Sequence, residues 1–245
     1  MRYYSTNKKS ECVSLRDAVV NGLAEDRGLY MPERINKLPE EFFKDLDKMS
    51  FQEISYEVAK AFFGDDVETD ALKKIVYDTL SFDCPVKNIC NNIWTLELFH
   101  GPTLAFKDVG ARFMARLLEY FIRQESQQTV NVLVATSGDT GSAVANGFLG
   151  VDGIHVYVLY PKGKVSKIQE SQFTTLGNNI TAIEIDGMNA EKIRHNIASG
   201  GELVILQEEG KQYEFKSVEK YMLYMRPVPK DYEDRWKKWS DDYKQ

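Results

Sequence analysis

Apolar residues recur at three- and four-residue spacing through the first eighty positions, the period of amphipathic helices. LRDAVVNGLA predicts a helix, with Ser14 ahead of it as a cap and Gly22 near its end. Residues 27–32, RGLYMP, read as a turn and a short extended piece. The helical period returns over 40–49. It returns again in SFQEISYEVAKAFFG, where Ile54, Val58, Ala61 and Phe62 share a face and Gly64 closes the run. Residues 70–80 predict a further helix. Residues 1–90 therefore read as a helical N-terminal domain with little chemistry of its own.

From Ile93 the pattern changes. WTLELF is a short apolar strand, and 106–124 is an amphipathic helix with Val109, Phe113, Leu117 and Phe121 on one face. NVLVAT reads as a buried strand, SGDTG as a turn, SAVANGFLG as a helix and IHVYVLYP as a second strand. VSKIQESQFTTLG, stopped by Gly177, is the next helix, and NITAIEID the third strand. Strand and helix alternating at this spacing predict right-handed βαβ units, hence an α/β fold with a parallel sheet. After Gly187 the alternation stops. MNAEKIRHNIASGG predicts one short helix, ELVILQEEGKQYEF a hairpin around residues 209–210, and YMLYMRPVP an apolar run broken by prolines. DYEDRWKKWSDDYK predicts a charged helix with Trp236 and Trp239. Residues 188–245 thus form an unassigned tail.

A length of 245 residues allows one large domain or two moderate ones. The net charge of -6 lies in residues 1–187, and the tail is charge-balanced. The net negative charge argues against nucleic acid or an anionic membrane as a bulk partner. Cys12, Cys84 and Cys90 are odd in number and lack Cys-x-x-Cys spacing, which predicts free thiols and no zinc site. His100, His155 and His195 are scattered, so no metal is expected. The N-terminus lacks a signal-type apolar segment, and no run is long enough to span a membrane. The expected setting is cytoplasmic.

Three stretches carry candidate chemistry. Lys107, in ELFHGPTLAFKD, falls in the first turn of the predicted helix. A lysine that attacks a carbonyl must be unprotonated, and both burial and a helix N-terminus favour the neutral amine. Leu104 and Phe106 offer an apolar wall and Asp108 an orienting partner; a solvated surface lysine is the competing reading. SGDTG, residues 137–141, joins a buried strand to a helix. Its amides, with the hydroxyls of Ser137, Thr140 and Ser142, suit an anion; a tight turn with glycines for geometry alone is the alternative. Lys162 and Lys164 of YPKGK lie at the carboxyl end of the next strand, where open α/β sheets bind ligands, or are plain loop lysines. Glu97, His100 and Asp108 are candidate acid–base groups near Lys107.

ELFHGPTLAFKD followed by GARFMA closely resembles the lysine segment of the threonine synthases, pyridoxal-phosphate enzymes of the tryptophan-synthase-β fold type. ATSGDTGSAVANGF, VLYPKGKVSKIQESQFTTLGNNI and the N-terminal VSLRDAVVNGLAEDRGLYMPE are similar to the same family, in unbroken order from about residue 2 to 187. The resemblance implies a PLP fold type II domain over 91–187, present in part. It implies that Lys107 holds pyridoxal 5'-phosphate covalently and shuttles a proton, with Phe106 and Asp108 flanking the cofactor. Ser137, Gly138, Asp139, Thr140 and Gly141 would bind the substrate's anionic part or the cofactor's ring oxygen. The implied reaction converts O-phosphohomoserine and water to threonine and phosphate.

The chain also departs from that pattern. The family's Ser-Ile-Asn segment, its second glycine-rich loop, where the resemblance places the cofactor phosphate, and the partner of the pyridine nitrogen have no counterpart after residue 187. GGELVILQEEGK is no substitute, because Gly200 and Gly201 precede a strand. A rearranged or truncated gene product and a divergent lineage are the two explanations. A catalytically inactive remnant, binding the cofactor weakly or serving as an interaction partner, is the alternative function. A half-built sheet would also self-associate through its open edge unless the aromatic tail, anchored by Trp236 and Trp239, covers it.

Overall fold

The computed structural model describes residues 1–124 and 130–185, with the backbone of three more strands at 204–208, 211–215 and 221–223. The short helix expected after Gly187 and the terminal helix with Trp236 and Trp239 lie outside the described residues.

The N-terminal segment opens with β1 (Tyr3–Ser5), which pairs antiparallel with β2 (Tyr30–Pro32). Between them runs α1 (Leu15–Asn21), capped as expected: Ser14 Oγ accepts the Asp17 amide, and Gly22 turns the chain away at φ 71°. The helix expected over 40–49 divides into α2 (Glu40–Lys44) and a 3-10 turn at Leu46–Lys48, because Asp45 leaves the helical region at φ -104°, ψ 5°. A complete capping box between Ser50 and Glu53 opens α3 (Phe51–Phe63). Of the expected face, Ala61 is buried and Ile54 and Phe62 are half-buried, but Val58 is not. Val58 is exposed, whereas Ala59, Tyr56 and Phe63 pack inward, the Phe63 ring 5.3 Å from that of Phe113. Then comes α4 (Thr69–Thr79), whose last carbonyls are satisfied from outside. Arg112 donates to Asp78 O at 2.6 Å and to Thr79 O at 3.0 Å.

β3 (Val86–Cys90), absent from the sequence reading, pairs antiparallel with β4 (Ile93–Leu96) around Asn91. The expected apolar strand at WTLELF is therefore one arm of a hairpin, and it is largely exposed rather than buried.

The predicted alternation then follows: α5 (Lys107–Ile122), β5 (Val130–Ala135), α6 (Asp139–Phe148), β6 (Ile154–Pro161), α7 (Lys167–Thr174) and β7 (Ile180–Ile185). β5, β6 and β7 are parallel neighbours, Val134 opposite Val158 and Val158 opposite Ala182. The tail's hairpin forms as expected, β8 (Val204–Glu208) against β9 (Lys211–Phe215). The tail also returns to the sheet, where β10 (Tyr221–Leu223) lies parallel to β5, Met222 opposite Val132. One side of the sheet expected to have an open edge thus carries a further strand, and β7 ends the sheet on the other side.

Two apolar cores meet at α5. Ala111, Ala115, Leu118 and Ile122 face α6 and the sheet, packing with Val132, Val134, Val144, Phe148, Val156 and Val158. Leu117 and Phe121 face the N-terminal segment with Tyr3, Leu15, Leu72 and Ile75. The α5–α6 approach is close because residue 147 has no side chain: a Cβ there would stand 3.0 Å from the Ala111 carbonyl carbon. Cys12, Cys84 and Cys90 are free thiols. Among the described residues no cluster of metal-ligating side chains occurs, and no helix is long and apolar enough to cross a membrane.

Candidate functional site

Lys107 is the first residue of α5, as its spacing predicted. The turn before it closes through two backbone bonds, Leu104 N to Gly101 O at 3.1 Å and Asp108 N to Ala105 O at 3.0 Å. Leu104 adopts φ 59°, unusual for a residue with a side chain. The Lys107 ammonium sits 4.6 Å from the centre of the Phe106 ring and 3.9 Å from Asp139 Oδ2. This ion pair joins the lysine to the SGDTG loop, two segments that the sequence leaves some thirty residues apart. The apolar wall expected of Leu104 and Phe106 is only half present. Phe106 lies beneath the ammonium, but both side chains are mostly exposed, and Lys107 itself keeps 32% of its side-chain surface.

Asp108 turns away from that space. Its carboxylate is buried and accepts the Thr103 amide at 2.9 Å and the Thr103 hydroxyl at 2.5 Å. Glu97 and His100 pair with each other at 2.8 Å.

The SGDTG loop leaves the carboxyl end of β5 and opens α6. Its shape is set by Thr136, a residue the sequence reading passed over. Thr136 Oγ1 accepts the amides of Gly138 at 3.0 Å and Gly141 at 2.9 Å, and donates to Gly138 O at 3.0 Å. Gly138 has φ 153°, and a Cβ there would lie 2.7 Å from Gln169 Oε1. Gln169, also unforeseen, donates from Nε2 to Asp139 Oδ1. Asp139 and Thr140 are the first two residues of α6, so their amides have no preceding helical turn to donate into. Ser137 is exposed, and Thr140 is partly so. Ser142 is buried and donates to Gln169 O at 3.3 Å, so its hydroxyl is not offered to a ligand as expected.

Lys162 and Lys164 follow β6 on the same carboxyl edge and are exposed, with Ser166 capping α7 behind them. The signals that would have revealed Thr136 and Gln169 are weak in one dimension. A buried threonine at a strand end and a glutamine in a helix acquire their roles only when β5, α6 and α7 converge.

The arrangement sets a primary amine beside the carboxylate that opens α6, at the carboxyl edge of a parallel sheet, where open α/β sheets bind ligands. Residues 2–80 match the family model "Threonine synthase N terminus". The chain is 43% identical over 188 residues to threonine synthase of Buchnera aphidicola subsp. Baizongia pistaciae, covering 76% of this chain and 44% of that protein. Against Escherichia coli threonine synthase the identity is 42% over 190 residues, or 76% of this chain and 43% of that one. The crystal structure of the Escherichia coli enzyme superposes with a TM-score of 0.72 at 37% identity, over 82% of this chain and 47% of that chain. The PLP-bound threonine synthase of Brucella melitensis gives 0.73 at 34% identity, over 82% and 44%. The chain spans less than half the length of the relatives it matches.

Proposed function

Since the chain belongs to the threonine synthase family over about three quarters of its length, we propose that it provides the lysine-bearing wall of a pyridoxal-phosphate-dependent threonine synthase. The substrates are O-phosphohomoserine and water, and the products threonine and phosphate. The observation that carries this reading is the placement of Lys107 at the N-terminus of α5, 3.9 Å from Asp139 of the glycine-rich loop. A primary amine over an aromatic ring, beside a loop that opens a helix, fits the aldehyde and ring of the cofactor.

Lys107 is the residue that would hold the cofactor, with Phe106 beneath it and Asp108 acting from behind the turn. When bound, pyridoxal phosphate supplies an electron sink for charge developed on the substrate's carbons. Lys107 then serves as the base that takes and returns the proton at those carbons, from a fixed position at the helix end. Residues 137–141 bind an anionic group of the substrate, through the amides of Asp139 and Thr140 and the hydroxyls of Ser137 and Thr140. Thr136 and Gln169 keep that loop open.

Reaction of the purified chain with pyridoxal phosphate, borohydride reduction and peptide mapping tests the reading. One equivalent of label on Lys107 is expected, and label spread over surface lysines defeats it. A second reading, a non-catalytic chain that binds the cofactor weakly or acts through protein contacts, draws support from the exposure of Leu104 and Phe106 beside the lysine. Release of phosphate from O-phosphohomoserine by the chain separates the two.

A further inference from the structure

The residue that follows Lys107 is a buried carboxylate, which enters the proposed site only from behind the turn. Asp108 is 1% exposed, and both its oxygens are turned to a single residue, Thr103. A buried carboxylate is costly unless fully hydrogen-bonded, so this geometry resists displacement. Gly101 is shaped to it as well: a Cβ at 101 would stand 2.4 Å from Asp108 Oδ2. Thr103 extends the chain of contacts outward, because its carbonyl accepts Gln172 Nε2 of α7 at 3.3 Å. Three residues earlier on α7, Gln169 binds Asp139. Residues three apart on a helix lie side by side. One surface of α7 therefore presents two carboxamides, one to the lysine turn and one to the glycine-rich loop.

We propose that Asp108, Thr103 and Gln172 are positioning residues, which hold the turn carrying Lys107 at a fixed distance from the SGDTG loop by tying it to α7. None of the three touches the space between Lys107 and Asp139. They act through the turn: Asp108 anchors Thr103 beneath the first turn of α5, and Gln172 anchors Thr103 to the helix that also holds Asp139. The spacing between amine and loop is thereby set by α7. The inference deepens the reading of Lys107 as the cofactor lysine and rests on it for its functional meaning, but the lysine's environment is measurable without cofactor.

The test is competitive trace acetylation of the full chain with acetic anhydride across pH, no cofactor added, with Lys162 as internal reference. Variants are Thr103→Val, which removes the hydroxyl donor; Thr103→Ser, which keeps it; and Gln172→Ala, at the half-buried surface of α7. A neighbouring carboxylate favours the charged form of an amine and a helix N-terminus the neutral form, so moving the amine relative to Asp139 and the helix end changes its reactivity. The expected result is a change of about threefold or more in the Lys107 rate relative to Lys162, with a displaced pH profile, in Thr103→Val and Gln172→Ala. Thr103→Ser should restore the native profile. A Lys107 profile unchanged in Gln172→Ala, or equally changed in Thr103→Val and Thr103→Ser, overturns the proposal. Failure of pyridoxal phosphate to label Lys107 in the native chain would instead defeat the functional reading, leaving the acetylation result to decide the positioning role alone.

Discussion

Thr136 shows how one hydroxyl sets the form of a binding loop. It receives two amides and returns one hydrogen bond, so the turn between β5 and α6 is fixed before any ligand arrives. The glycine at 141 is required by the same contact. A Cβ there would meet Thr136 Cγ2 at 2.3 Å. Alanine in a helix normally gains about 1 kcal/mol over glycine, but a clash against a buried, branched side chain costs about 1–3 kcal/mol. Gly141→Ala is therefore expected to destabilise by up to about 2 kcal/mol in urea unfolding, with reduced cofactor capture at Lys107; a stabilised variant would contradict the packing. Asp26 holds a second loop in the same manner. Burial alone would push its carboxyl up, but hydrogen bonds from Ser5, Gly28, Lys9 and Ser10 prevail and hold it down at about 2, from an ordinary 3.8. A depressed carboxylate stabilises the fold above its unfolded value, and that contribution is lost as pH falls through the folded one. The stability difference between the native chain and Asp26→Asn should thus be full above about pH 5 and shrink towards pH 2. Unfolding midpoints measured across that range check it.

Arg112 joins elements that the sequence leaves unconnected. From the second turn of α5 it caps the last turn of α4, donating to two carbonyls and to Ser81 Oγ at 2.9 Å. Removing a side chain that satisfies half-buried carbonyls costs about 1–3 kcal/mol. Arg112→Ala is expected to lose that much in chemical denaturation, with Arg112→Lys intermediate because an ammonium lacks the planar fork. Loss of nothing in Arg112→Ala would mean that water replaces the cap. The elements legible in the sequence were those with a strong local signature. β5 and β6 are mainly apolar runs, as buried parallel strands tend to be, and β7 keeps Ile180, Ile183 and Ile185 inward around Thr181 and Glu184. α1, α3 and α7 each begin at a serine that caps them. β1 and β3 escaped because VKNIC and YYS have neither alternation nor length, and form only by pairing with a partner strand. The break at Asp45 escaped because helical periodicity continues across it. At the site, Lys107 and the glycine loop were legible as motifs. The inward turn of Asp108 and the reach of Gln169 and Gln172 were not, since a polar side chain's target depends on which helix arrives beside it.

For the molecule as a whole, the most unusual surface is the β3–β4 hairpin. Val86, Ile89, Ile93, Trp94 and Leu96 each leave more than half their surface open. A two-stranded hairpin exposed on both faces is marginal in water, and contiguous apolar surface promotes association. Sedimentation velocity across a concentration series should show the chain self-associating. Trp94→Lys with Ile93→Lys should weaken association by at least about tenfold, the scale of a buried tryptophan anchor. A strictly monomeric native chain would refute this. Self-association had been expected from an open sheet edge; β10 covers only the β5 side of the sheet, and the exposed apolar hairpin adds a second candidate.

The sharing of α5 between two apolar clusters has a further consequence. Ala115 and Leu118 belong to one cluster, Leu117 and Phe121 to the other. An amide in the middle of this helix can exchange with solvent only when both clusters have opened, whereas β3 and β4 need neither. Deuterium uptake should therefore be slowest in the turns that follow Lys107 and fastest in the hairpin just upstream. Among the described residues, the lysine thus stands between the element expected to be most durable and the one expected to be most transient.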